Sequence, residues 1–178
     1  MSPSNPFASA RLTYRSIRAA DIAIFNAINA DTHGFINSNT ANIHLPSDTD
    51  ASEFMKHCAE KCLLGAVIWL NHSPELSKED VKAMIDKAKE DGNGDMVNEW
   101  GTAIGEIHLS RLPPDNVHHR WTEVGLDVLP EYQGKGYGGE AITWALDYAF
   151  RKAGLHRVCV VISRRASRFV VSCRLIAK

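Results

Sequence analysis

The sequence is short of several things that would otherwise direct its reading. No apolar run approaches the ~20 residues that a membrane-spanning helix needs, so no membrane association is expected. Met1 to Ala10 lacks a basic stretch followed by an apolar one, and no secretory leader is expected. Charge of neither sign dominates: 20 Lys and Arg face 21 Asp and Glu, which argues against nucleic acid as a partner of the whole chain. The four cysteines form no Cys-x-x-Cys pair, which excludes a disulfide framework and points to a reducing, cytoplasmic interior. Cys58 and Cys62 lie four apart on an expected helix, with His57 adjacent. Without a second ligand pair they read as a buried stripe, and no metal site is expected.

The 178 residues suffice for one domain core and are too few for two. Residues 1–10 read as a flexible tail and 11–178 as a single domain. Leu12 and Tyr14 alternate with polar residues in a first strand. Asp21 reads as the cap of a helix through Ile22, Phe25 and Ile28. Residues 32–52 form a long loop, which either lines a substrate cleft or is merely irregular. A second helix is expected to open at Ser52, followed by a short strand at Ala66–Leu70. Ser77 and Asp80 resemble a capping box that opens a charged helix, so residues 72–99 look like a helical insertion between strands. Two strands, over 100–112 and 121–129, should pair as an antiparallel hairpin. A helix over 140–153 ends at Gly154, and an apolar run at 156–162 reads as a buried parallel strand. The expected class is α/β: an antiparallel meander that hands over to one βαβ unit.

Between strand and helix stands a glycine loop, with glycines at 134, 136, 138 and 139. Such a loop can aim backbone N–H groups at a phosphate, helped by the positive end of a helix. The spacing is wrong for a dinucleotide fingerprint, no acid follows ~20 residues on, and no Walker string occurs. What remains is Gln133-Gly134-Lys135-Gly136-Tyr137-Gly138, which matches Gln/Arg-x-x-Gly-x-Gly/Ala.

With its flanking strand, Pro130 and following helix, this segment resembles the GNAT superfamily of N-acetyltransferases, nearest the ribosomal-protein acetyltransferase (RimJ/RimL-type) branch. The resemblance is strongest over 121–154. It implies an acetyl-CoA-dependent N-acetyltransferase, acting on a small amine or a protein N-terminus by direct attack on the thioester, and it admits a homodimer. It also implies that Val128, Leu129, Gln133, Gly134, Lys135, Gly136, Tyr137, Gly138 and Gly139 contact acetyl-CoA. Transfer to an amine requires that the amine lose its proton. Glu123 falls where the histone-acetyltransferase branch keeps its base glutamate, and Glu106 on the preceding strand is the second candidate. The competing reading of Glu123 is a strand residue paired with Arg120 or Arg111. Asp127 lies too near the phosphates to be favoured.

The resemblance weakens after residue 162. Arg164 stands where the family has Asn, Ala166-Ser167 match only a remnant, and no Tyr follows Tyr148 to serve as general acid. Residues 163–178 therefore read as an atypical or truncated tail, with the final strands missing and the last strand left unpaired. That leaves a second reading open: a non-catalytic CoA-binding module.

Overall fold

The computed structural model describes residues 5–32, 34, 45–164 and 167–174. Alternation along Leu12–Ser16 produces strand β1, whose Leu12 and Tyr14 are buried. Helix α1 follows at Ile22–Ala30. Asp21 precedes it but does not cap it. Its carboxylate turns back to accept from Arg18 N at 2.7 Å and from Arg15 Nη2 at 2.5 Å. The expected cap is corrected because a fixed guanidinium outbids the helix N–H groups.

Most of the loop expected at 32–52 lies outside the described residues. Its end is helical: α2 spans Asp48–Lys56. Ser47 Oγ accepts from Asp50 N at 3.2 Å, so the cap is Ser47 and not Ser52. A wider π turn, His57–Lys61, continues α2 up to Cys62. Strand β2 is Leu64–Asn71. The insertion then forms helix α3, Lys78–Glu90, opened by the anticipated reciprocal box between Ser77 and Asp80. Strands β3 (Gly101–Leu109) and β4 (Trp121–Val128) are the hairpin. Helix α4, Tyr137–Asp147, ends in a second π turn at Tyr148–Lys152, and strand β5 is Arg157–Arg164.

The tail behaves differently from its expectation. Ser167–Arg174 forms strand β6, antiparallel to β5, so the edge expected to be bare is paired. Ala166 lies outside the described residues. Residues 5–9 also depart from the flexible-tail expectation. Ser9 Oγ donates to Glu140 Oε1 at 2.7 Å, Trp144 Nε1 donates to Pro6 O at 3.0 Å, and Tyr14 N donates to Phe7 O at 2.8 Å. Three partners on α4 and β1 tie this stretch down.

The described strands form one sheet in chain order, β1 to β6, antiparallel throughout except for β4 and β5. Helices cover both faces. On one face Ile107, Leu109, Val124 and Val158 meet Ala141, Trp144 and Ala145 of α4, and Trp144 stacks on Tyr14 with ring centroids 3.8 Å apart. On the other face Val67, Trp69, Ala103 and Leu129 meet Ile24 and Phe25 of α1 and Ala51 of α2. No described helix is long and apolar enough to cross a membrane.

Ile107 sits mid-sheet between Ala66 and Leu126, fully buried under α4. Replacing Ile107 by Ala should cost ~2–5 kcal/mol, read as a lower urea midpoint at unchanged slope.

Candidate active site

The glycine loop takes its shape from backbone that other residues resist. Gly134 and Gly136 have φ of 72° and 84°, in the left-handed region where a Cβ is strained. Gly136 is the N-cap of α4, and the first helical bond runs from Glu140 N to its carbonyl at 3.1 Å. Among the described residues, no backbone N–H of residues 134–139 meets a protein acceptor. These donors converge at the positive end of α4. A Cβ at Gly134 or Gly139 would meet nothing within 4 Å, so the space above the loop is open.

The surrounding side chains hold the loop rather than fill it. Gln133 Nε2 donates to Val128 O at 2.7 Å, latching the loop to the end of β4. One of the two Gln133 Nε2 hydrogens is therefore engaged by the protein. Leu129 is likewise committed: its N–H goes to Ile104 O and its side chain is buried against α1. Arg11 was not singled out by any motif, yet it straps the loop. It pairs with Glu140 at 2.8 Å, donates to Lys135 O at 3.2 Å and lies 4.5 Å from the Tyr137 ring centre. Burial would raise the carboxyl of Glu140, but the bonds from Arg11 and Ser9 outweigh it and hold it below the usual range. Lys135 Nζ rests over Tyr132, 5.6 Å from the ring centre, and remains exposed.

Beside the loop the sheet opens. The parallel β4–β5 ladder ends at Val124 opposite Val160, while β4 runs on to Val128 and β5 to Arg164. Among the described residues, 125–128 therefore present an edge without a strand partner on the β5 side.

One face of β3 and β4 carries the titratable groups. Glu123 is half-buried, and among the described residues its carboxylate has no hydrogen-bond or ion-pair partner. The competing reading does not describe it: Arg120 is bonded to Gly154 O and Arg111 to Cys62 O. Glu106 is fully buried, and both its oxygens lie 3.1 Å from His108 Nδ1. Burial alone would lower the imidazole's pKa. The charge of Glu106 and its hydrogen bond reverse this, with smaller help from Cys62 and Asp127, and lift His108 to about 9. Asp127, opposite Glu106 in the ladder, is pushed up to about 7 by burial first and the Glu106 charge second.

Comparison with known proteins agrees with this fold. The description "acetyltransferase (GNAT) domain" matches residues 11–169. The chain belongs to the GNAT acetyltransferase family. It is 30% identical over 94 residues to an uncharacterized N-acetyltransferase of Bacillus subtilis, an alignment covering 50% of this chain and 53% of the relative. The chain spans about half the length, or less, of the curated relatives that it matches. Among solved structures, a GNAT-family acetyltransferase from Bacillus anthracis superposes with a TM-score of 0.59 at 17% identity, over 87% of this chain and 72% of that one. A spermidine N-acetyltransferase from Vibrio cholerae, solved with CoA and spermine, gives 0.57 at 18% identity, over 87% and 73%. At these identities the structures support the shared fold.

In this GNAT chain the glycine loop and Glu123 lie on or next to β4, whereas Glu106 sits beneath the surface. Sequence reasoning missed His108, the partner that Glu106 requires. A signal existed in its ladder neighbours, which are Gly65 on β2 and Gly125 on β4. Strand glycines mark a close approach. A Cβ on Gly125 would lie 2.1 Å from His108 Cε1, and one on Gly65 would lie 2.1 Å from Cys58 O. Replacing Gly125 by Ala should turn His108 away from Glu106 and cost ~1–3 kcal/mol of overpacking. Denaturant unfolding and a crystal structure of the variant would register both effects.

Proposed function

We propose that the chain is an acetyl-CoA-dependent N-acetyltransferase that moves the acetyl group to an amine by direct attack on the thioester. One observation carries this reading: acceptor-free N–H groups at residues 134–139 lie where β4 parts from β5. A pyrophosphate fits that cradle, with Lys135 adding charge. The edge of residues 125–128 has no strand partner on the β5 side, and apart from the Val128 carbonyl held by Gln133 it fits the amides of the pantetheine arm, which would pair there as an added strand does. Acetyl-CoA supplies an acyl carbon already activated as a thioester.

The chain's part is to position the amine and remove its proton. A protonated amine has no lone pair for attack. Glu123 is the best-placed base: it is accessible, unpartnered and on β4 next to the opening. Glu123 takes one proton from the ammonium and frees the lone pair; the C–N bond then forms as the C–S bond breaks, and the second proton on nitrogen passes to the departing thiolate. Glu106 is held by His108 out of solvent, and its proposed part is to fix that side chain.

A cavity of about 900 Å³ reaches from α1 and α3 to the start of the loop, and among the described residues on its wall Asp31, Asp91 and Glu131 outnumber Lys87. That balance suits a cationic amine, so a polyamine belongs in the acceptor panel beside simple amines and peptide N-termini.

Calorimetric titration with acetyl-CoA, followed by thioester consumption against this panel, tests the reading. Failure of the folded protein to bind acetyl-CoA refutes it. Binding without turnover, unaltered by Glu123→Gln, identifies a non-catalytic CoA-binding module instead. Glu123→Gln is expected to lower kcat/KM by ~10²–10⁴-fold while acetyl-CoA still binds. Gly136→Ala should strain the loop by ~1–2 kcal/mol and weaken acetyl-CoA binding, seen as a raised Kd in the same titration.

A further inference from the structure

Away from the loop, the sheet face under α2 gathers a second set of groups that acetyl transfer does not use. Cys58 and Cys62 are placed by the π turn that continues α2. The absent Cβ of Gly65 lets the Cys58 carbonyl press against β2, beside His108. Gly125, on the other side of His108, leaves room for the imidazole against β4. Both thiols are buried, at 0% and 6% exposure. The sulfurs and a ring nitrogen of His108 all lie within 4.8 Å of one another. Two glycines and one π turn thus converge on a compact donor set.

We propose that Cys58, Cys62 and His108, with Glu106 beside them, form a binding site for a thiophilic divalent cation of the zinc class. Cys58 Sγ lies 3.6 Å from His108 Nδ1. Zinc bonds of ~2.3 Å to sulfur and ~2.0–2.1 Å to nitrogen give a tetrahedral S···N edge of ~3.6 Å. Glu106 lies outside this three-donor set, but its carboxylate is 3.1 Å from the same nitrogen and would exchange that hydrogen bond for the cation once Nδ1 binds it. Two thiols and one imidazole suit zinc and cobalt and are poor ligands for magnesium or calcium. His57, although next in sequence to Cys58, is exposed and stands outside the set.

The test uses the full chain, reduced and shown to be folded by circular dichroism. Metal content is measured after purification, and metal-free protein is titrated with Co²⁺ and then Zn²⁺. The expected result is one cation per chain, thiolate-to-cobalt charge-transfer absorption with the visible bands of tetrahedral cobalt, and displacement by Zn²⁺. Glu106→Gln should weaken binding by ~10–100-fold. Cys62→Ser should remove one sulfur's share of the charge-transfer intensity. Folded, reduced wild-type protein that shows no charge-transfer band overturns the site, as does a cobalt affinity unmoved by Cys62→Ser. The wild-type titration stands alone if either variant fails to fold.

Discussion

Strand β4 is held by two ladders of unequal length, and the candidate site depends on that mismatch. Toward β3 the pairing reaches Val128 opposite Gly105. Toward β5 it ends at Val124 opposite Val160. The longer ladder keeps β4 rigid to its end, so the bare edge is held in place and does not fray. Helix α4 packs across the same strands through Ala141 and Ala145. Its N-terminus is thereby delivered to the place where the ladder stops. A donor-lined strand edge and a donor-rich helix end become neighbours because one chain segment builds both.

The other face of β3 and β4 obeys a different economy. Glu106 is fully buried, and among the described residues its basic partner is an imidazole. Such an arrangement is a poor way to gain stability, since apolar residues of similar volume often serve as well or better. Its supports are costly too: strand glycines at 65 and 125 surrender packing and propensity to admit a backbone carbonyl and a ring. When a core keeps charge and gives up side chains to do so, the constraint lies in what the charged groups hold.

Much of the fold was legible because its signals are local. The alternation at Leu12 and Tyr14, the Ser77–Asp80 box and the strand–glycine–helix order at 121–154 each act within a few residues, and each produced the element it implied. Errors arose where a distant group competed. Asp21 is drawn to Arg15, and the stretch at 5–9 is tied to α4. The tail misled because short apolar strands carry no long period, and β6 takes its register from β5. His108 was invisible for the same reason. Its relation to Cys58 spans the interval from α2 to β3, and no spacing rule reaches that far.

Period two along β4 joins these two economies. Thr122, Val124 and Leu126 point toward the α4 face, where Val124 and Leu126 pack. Glu123, Gly125 and Asp127 alternate onto the other face. On that face Glu123 borders the opening, Gly125 carries His108, and Asp127 lies opposite Glu106. A slip of one residue would bury Glu123 beneath α4 and drive Val124 into the imidazole. The apolar side chains that seat α4 therefore also set which carboxylate is free to accept a proton, so register in the core and chemistry at the opening are a single constraint.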